Sequence, residues 1–395
     1  MTKEQKDNLF VLVKSLSKSE KRQFKLYVGR LGVNEDSKFL LLFNLLDKMN
    51  EYDEQVILKK GIVKKQQLSN LKAHLYKQIL ISLRLNPLHQ NIRVQIREQL
   101  DFATILYHKG LYKQSLKILD KAKSLALNYE EKIIAYEILE LEKIIESQYI
   151  TRSISNRADE LTIQAKELNS QNILASKLSN LSLQLYGLFL KTGYVKNDEE
   201  YVKVTKYFND RLPKYDIKTL GFREKLWLYQ SYLWYSFLVQ DFLACYKYSK
   251  KWVDLFYDNP EMMKLNPVFF LRGNQYLLEA LFFIRHHNKF KLALNKLETI
   301  TKETWFPKDD NVESLTFLYV YSNKFNLHFM EGTFKEGLPL VDEVLAGIKK
   351  HKSRIDEHHI MVFYYKIASL YFGIGENKKC IEFLDKIISN KSLSM

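Results

Sequence analysis

The stretch from Ile105 to Ala122, ILYHKGLYKQSLKILDKA, contains the pattern from which the fold can be predicted. Apolar residues lead up to Gly110, Tyr112 follows two positions later, and small and apolar residues then recur at helical spacing from Ser115 onward. Glycine readily adopts the left-handed conformation that ends a helix. A small residue on each helix lets the two helices approach closely, so the stretch predicts a helical hairpin.

Variants of this arrangement recur along the chain. Each has a turn residue, usually an aromatic residue two positions later and a small residue three further on. The examples are Ala103, Gly110, Tyr112 and Ser115; Gln240, Phe242 and Cys245; Asn288, Phe290 and Ala293; Gly332, Phe334 and Gly337; and Ala368, Gly375, Asn377 and Cys380. With two more turns inferred from spacing, the turns fall near residues 110, 152, 193, 240, 288, 332 and 375. Because a single hairpin cannot bury its apolar face, these hairpins are expected to stack.

Ile105–Ala122 and the later stretch SLYFGIGENKKCIEFLDKI resemble the tetratricopeptide repeat. Two features depart from that family: the spacing exceeds its period of about 34 residues, and Leu127 stands where the family has proline. The resemblance implies an all-α protein, with a right-handed α-solenoid of about seven antiparallel hairpins over residues 91–395. It also implies that the concave face binds a protein or peptide and that the chain is not an enzyme.

Composition agrees with a helical protein. The 395 residues include only 13 Gly and 6 Pro, whereas β-rich proteins need many turn residues. No run of 18 apolar residues occurs, so we expect no membrane insertion. The N-terminus lacks the apolar core of a signal peptide, and Cys245 and Cys380 are distant in sequence. We therefore expect a reduced, cytoplasmic protein.

Residues 1–90 do not match the repeat and are predicted to form a separate N-terminal helical unit. Ser17 followed by Glu20 forms a capping box. Asp53 can cap a short helix that stops at Gly61, and a long helix is expected from about residue 65 to residue 85. Short helices with tight turns fit either a helix-turn-helix variant or an irregular cap on the solenoid.

Positive charge is concentrated in this first unit. The chain carries 61 basic and 46 acidic residues, a net charge of +15, and residues 1–90 contribute 17 minus 9, or +8. Gln55–Arg97 contains no acidic residue. The residues predicted to contact phosphate or an acidic partner are Lys59, Lys60, Lys64, Lys65, Lys72, Arg84, Arg93 and Arg97. A Lys-rich solvated surface is the alternative.

Aromatic residues are concentrated between Trp227 and Tyr257, where 12 occur in 31 positions. One helical face must supply the hairpin core. The surplus can line a peptide groove, because Tyr and Trp combine a large apolar area with a polar group. The residues predicted for such a groove are Tyr229, Tyr232, Trp234 and Tyr235. An entirely aromatic core is the alternative.

The sequence shows no catalytic, cofactor-binding or metal-binding motif. His351, His358 and His359 lack the fixed spacing of a zinc site. We therefore expect a non-enzymatic scaffold or adaptor that binds a protein or peptide. The alternative is a nucleic-acid- or ribosome-associated regulatory protein, with a basic N-terminal unit and a ligand-sensing solenoid. Peptide-sensing bacterial regulators have a similar layout. The sequence leaves the oligomeric state open.

Overall fold

A computed structural model describes residues 7–30, 37–86, 91–148, 156–352 and 354–390, which form helices and no strands. The chain divides into two compact units, Met1–Gln99 (unit 1) and Leu100–Met395 (unit 2). The division falls within helix α6, nine residues beyond the boundary drawn from the sequence at residue 90. Within the described ranges, no helix has the length and apolar character needed to cross a membrane.

Unit 1 is a small helical bundle in which α1, α2 and α3 pack against α5. Its helices are α1 (Asn8–Ser15), α2 (Lys18–Arg30), α3 (Lys38–Lys48), α4 (Glu54–Lys59), α5 (Lys65–Arg84) and the first part of α6 (Ile92–His108). Val13, Phe24, Phe43 and Leu75 are buried at its centre. The apolar positions follow the helical period, so each helix turns one face toward this core.

The helix caps predicted for unit 1 are confirmed. The backbone N–H of Ser17 donates to the Glu20 carboxylate (2.7 Å), and the N–H of Glu20 donates to the Ser17 hydroxyl (3.2 Å). The Asp53 carboxylate accepts a bond from the N–H of Gln55 (2.8 Å) at the start of α4. Gly61 has a φ of 67° directly after that helix, the left-handed conformation that favours glycine.

Unit 2 continues from α6 as an array of helices that pack on their neighbours in sequence. Its further helices are α7 (Tyr112–Asn128), α8 (Lys132–Gln148), α9 (Arg157–Thr192), α10 (Asp198–Arg211), α11 (Phe222–Leu238), α12 (Phe242–Asp258), α13 (Glu261–Leu265), α14 (Pro267–Phe283), α15 (His287–Lys302), α16 (Asp310–Glu331), α17 (Pro339–His351), α18 (Glu357–Gly373) and α19 (Asn377–Ile388). The predicted all-α, solenoid-like architecture is confirmed.

Five turns of unit 2 share one geometry. The residues with positive φ are Gly110, Glu130, Gln240, Arg285 and Gly375, and in each case the next helix begins two positions later. The N–H of the residue after each turn residue bonds to a carbonyl five positions earlier, as Leu111 does to Leu106 and His286 does to Leu281. This Schellman arrangement satisfies carbonyls that the ending helix leaves without partners.

Several details of the predicted hairpins need correction. The turn predicted at Asn288 lies at Arg285, and Asn288 is inside α15. The turn at Glu130 was not predicted. Between Arg157 and Thr192 the chain forms one uninterrupted helix that ends at Gly193, as expected for that turn. The turn predicted near residue 152 lies outside the described residues.

Close approach between helices depends on small residues, as the sequence pattern predicts. The Ser115 hydroxyl on α7 donates to the Ala103 carbonyl on α6 (2.7 Å), and both residues are buried. On α14, a Cβ atom added at Gly273 would lie 2.8 Å from the indole of Trp252 on α12. Trp252 is fully buried, so the absence of a side chain at Gly273 makes room for this ring.

A buried ionic cluster joins the starts of α8 and α11. The Lys132 ammonium lies 3.1 Å from the carboxylates of both Glu224 and Glu130, and Arg223 pairs with Glu131 (2.7 Å). The Glu224 side chain is only 1% exposed. Because an isolated buried charge is costly, each charge here depends on its partners.

Candidate functional site

Among the aromatic residues predicted to line a peptide groove, Trp234 is part of the core. It is 5% exposed, and its ring packs against Tyr186, Phe189 and Tyr276 at centroid distances of 4.7, 5.6 and 5.4 Å. The enclosed indole is not accessible to a ligand. The placement of Trp234 in a groove is therefore corrected.

Helix α10 covers the tyrosines of α11. The Phe208 ring stacks on Tyr235 (4.4 Å between centroids) and meets Tyr232 edge-on (5.1 Å). The Tyr232 hydroxyl lies 3.0 Å from that of Tyr215, and burial, followed by this contact, raises the pKa of Tyr232. Tyr229 is partly buried with Lys251 near its ring. These rings hold α10 and the following loop in place.

The predicted basic residues differ in how far they are available to a partner. Lys59, Lys60, Lys64 and Lys65 are all exposed and lie at the junction of α4 and α5, around the Gly61 turn. Arg97 is exposed on α6. These five residues could meet a phosphate group or an acidic partner.

The other three predicted basic residues interact within the protein. Lys72 forms an ion pair with Asp7 and donates to the Tyr52 hydroxyl (2.9 Å). Arg84 and Arg93 are exposed, yet each already interacts with another residue. Lys72 therefore stabilises unit 1, and its placement at a phosphate contact is corrected.

A polar groove lies across α14, α16 and α18 of unit 2. It contains a cavity of about 220 Å³ between these helices. Cavity residues are Arg272, Gln275, Tyr276, Glu279, Leu318, Tyr319, Ser322, His359, Val362 and Phe363. On each helix the residues recur at spacings of three and four, so each helix presents one face to the groove.

A chain of amide side chains extends the groove from the cavity to Lys366. The Lys366 ammonium donates to the Asn326 carbonyl oxygen (2.5 Å), and the Asn326 amide donates to Asn323 (3.2 Å). The Asn323 amide then donates to Gln275 (2.6 Å), which lines the cavity. Asn323 is fully buried, so this chain fixes the groove in one arrangement. The cavity residues together with Asn323, Asn326 and Lys366 are called the polar groove below.

Two ionisable groups of the polar groove have strongly shifted pKa values. Burial raises the pKa of Glu279 to about 7, with the charge of Lys366 opposing the rise. Burial also lowers the pKa of Lys366 to about 8, with Glu279 opposing the fall. Both groups can therefore change their charge near neutral pH, and a bound ligand can bias that change.

Two further groups complete the polar groove. Arg272 forms no ion pair among the described residues, although it opposes the rise of the Tyr276 pKa, which burial brings to about 12. His359 is held by Asp356, whose carboxylate lies 2.6 Å from its Nδ1 atom. The groove thus offers two cations, one neutralisable carboxyl group and several amide and hydroxyl groups.

The histidines considered from the sequence have other surroundings. His351 is buried, its Nδ1 atom lies 3.1 Å from the Ser314 hydroxyl, and its ring stacks on Phe317. Burial lowers the pKa of His351, with Lys350 and Arg354 adding to the effect. The described part of the chain contains no group of three or more His, Cys, Asp or Glu able to hold a metal ion.

No protein-family model matches the chain, and no curated protein matches it either. A proposal for its function therefore depends on the residues of the groove. Sequence reasoning missed this groove because its members are spread over nearly a hundred positions. The available signal was polar: Asn323 and Asn326 interrupt the apolar run of α16, and Gln275 and Glu279 interrupt that of α14.

Proposed function

We propose that unit 2 is a tetratricopeptide-like peptide-binding array, and that the polar groove is its binding site. The observation that carries this proposal is the row of hydrogen-bonding side chains from Gln275 to Lys366, next to a cavity lined by Arg272, which has no carboxylate partner among the described residues. The resemblance to the tetratricopeptide repeat and the shared turn geometry support the assignment of the array.

The chemistry of the groove suits an extended peptide. Each peptide unit offers one N–H donor and one carbonyl acceptor. Arg272 and Lys366 supply donors for peptide carbonyls or a carboxylate, and the Gln275 amide and Ser322 hydroxyl can act as donor or acceptor. Tyr319 and Phe363 supply apolar area beside these groups. A non-enzymatic scaffold or adaptor would use the groove in this way.

Selection of a displayed random-peptide library on the full-length chain tests the proposal. We expect enrichment of a common motif that binds the wild-type chain and is lost with Lys366→Met. Lys349→Met is the matched control, because Lys349 is an exposed lysine of α17 outside the groove. Selection of no motif, or of a motif that Lys349→Met and Lys366→Met affect equally, would contradict the proposal.

A second candidate function is binding of nucleic acid or a ribosome by unit 1. It is favoured by the four exposed lysines at the α4–α5 junction, Lys59, Lys60, Lys64 and Lys65. Affinity purification with and without nuclease tests it, with reversal of these four charges as the variant. Nucleic-acid binding predicts that partners vanish after nuclease treatment and that retention falls steeply with salt. A peptide-binding scaffold predicts that partners survive the nuclease.

A further inference from the structure

Helix α2 carries a basic face that lies outside the acid-free stretch Gln55–Arg97. Two adjacent rows of side chains run along it at four-residue spacing. One row consists of Lys18, Arg22, Leu26 and Arg30, and the other of Lys21, Lys25 and Gly29. These seven residues line an open groove of about 790 Å³ together with Asp47, and they are called the α2 face below.

Most of the positive charge on the α2 face is uncompensated. Among the described residues, no carboxylate pairs with Lys18, Arg22, Lys25 or Arg30. The acid in the groove, Asp47, already pairs with Lys21 at 2.7 Å. The acid within α2, Glu20, is used by the capping box. A partner for this surface must therefore supply negative charge.

The α2 face also has an apolar centre. Leu26 lies between Arg22 and Arg30 in its row and is 57% exposed. An adjoining cleft is lined by Leu26 together with Tyr27 and Leu85, and Leu85 is also exposed. At Gly29 no atom lies within 4 Å of the position a Cβ would occupy, so the face is open at the C-terminal end of α2, next to Arg30.

We propose that the α2 face binds an acidic, amphipathic segment of a partner protein, whose carboxylates meet Arg22, Arg30 and Lys18 and whose apolar side chain covers Leu26. A helix that carries acidic residues and an apolar residue on the same face, at spacings of three and four, fits both rows. This surface is distinct from the polar groove, so the chain would join two protein segments.

The apolar centre favours an acidic protein segment over nucleic acid. Phosphate groups gain from a continuous basic surface but nothing from an exposed leucine. Protein surfaces that bind single-stranded nucleic acid commonly present aromatic side chains for base stacking. The seven residues of the α2 face are basic, apolar or glycine. Charges alone would also leave Leu26 in water, whereas an apolar contact removes it from water.

Fluorescence anisotropy on the full-length chain tests this proposal. The probe is a labelled peptide of about 16 residues, a length that spans α2, with Glu and Leu on the same helical face at spacings of three and four residues. Comparison probes are a peptide of equal charge with Ser in place of Leu, and a single-stranded oligonucleotide. The variants are Arg22→Glu with Arg30→Glu, and separately Leu26→Ser. The control is Lys38→Glu with Lys77→Glu, two exposed lysines of unit 1 outside the α2 face, which changes the charge of unit 1 equally.

We expect the Glu/Leu peptide to bind most tightly. Reversal of Arg22 and Arg30 should weaken it by about tenfold or more, and Leu26→Ser by about fivefold, with a much smaller effect of the control. Tighter binding of the oligonucleotide, or equal binding of the Ser peptide, would overturn the proposal. Equal loss with the Lys38/Lys77 control would also overturn it, because it would indicate a general effect of charge.

Discussion

Glu279 and Lys366 lie in the same groove of unit 2, and each opposes the pKa shift that burial imposes on the other, yet they form no direct ion pair. In most buried pairs of opposite charge, close contact offsets the loss of hydration. Here burial leaves Glu279, with a pKa of about 7, partly neutral near pH 7, and Lys366, with a pKa of about 8, loses its proton just above that pH. A ligand bound in the groove can supply the close opposite charge that Glu279 and Lys366 do not supply to each other.

The first prediction concerns stability and pH. The folded-state pKa of Glu279, about 7, lies above its ordinary value of 4.5, so its contribution is favourable at low pH and is lost as the pH rises through 7. Relative to wild type, the free energy of unfolding of Glu279→Gln should therefore rise by about 2 kcal/mol between about pH 5 and pH 7.5. Urea unfolding across this range measures it.

Lys366 acts in the opposite pH range. Its pKa falls from 10.5 to about 8, so its contribution is present above pH 10.5 and is lost as the pH falls through 8. Lys366 therefore adds little slope at acidic pH. The exposed Glu336→Gln provides the control, whose unfolding free energy should run parallel to wild type. If the unfolding free energy of Glu279→Gln also ran parallel to that of wild type across this pH range, Glu279 would have an ordinary pKa near 4.5.

The same substitution should have opposite effects at two glycines. Gly273→Ala places a methyl group against the buried Trp252 ring, and overpacking should reduce the free energy of unfolding by about 1–2 kcal/mol after the gain in helix propensity. Gly187→Ala lies in α9 with no atom within 4 Å of the added methyl group, so it should stabilise the protein by about 0.5–1 kcal/mol. Chemical unfolding compares the two. If both substitutions changed the free energy of unfolding in the same direction, the packing described for Gly273 would be contradicted.

The third prediction concerns the buried ionic cluster between α8 and α11. Lys132→Met leaves the buried Glu224 carboxylate without its cation and should cost about 3–5 kcal/mol. Glu224→Gln should cost less, because Lys132 keeps Glu130 as a partner. The double variant should cost less than the sum of the two. Lys203→Met, which removes an exposed ion pair with Glu199, should cost about 0.5 kcal/mol or less. A Lys132→Met variant as stable as this control would mean that the cluster contributes nothing.

The fourth prediction concerns the turns with non-glycine residues in the left-handed conformation. Arg285 has a φ of 52°, a conformation that glycine adopts without steric cost. Arg285→Gly should stabilise unit 2 by about 1 kcal/mol, and Gly110→Ala should destabilise it by a similar amount. Thermal unfolding of both variants checks this. A destabilised Arg285→Gly would indicate that the Arg285 side chain contributes more than its backbone strain costs.

Local signals in the sequence identified much of the fold. Ser17 with Glu20, Asp53 and the glycines at 61, 110 and 375 act through a few neighbouring residues, so their roles can be read directly. The turns at Glu130 and Arg285 could not be read in this way. There the packing of the flanking helices holds an unfavourable residue in the left-handed conformation.

The surfaces were harder to predict than the helices. Composition identified an aromatic cluster around α11, but tertiary packing decides that Trp234 is enclosed and that Phe208 covers Tyr232 and Tyr235. A stretch without acidic residues was the signal that pointed to Gln55–Arg97. Helix α2 does not meet this criterion. The sequence of α2 contains Glu20, whose charge is used by the cap rather than by the exposed face.

Calorimetric titration of a library-selected peptide into groove variants tests the central claim most directly. The variants are Arg272→Gln and Lys366→Met, with Lys349→Met as the control in the same unit. If the polar groove is the binding site, each groove variant should weaken binding by about tenfold or more, while the control stays within about twofold. Unchanged affinity in both groove variants would contradict the assignment of the groove as the peptide-binding site.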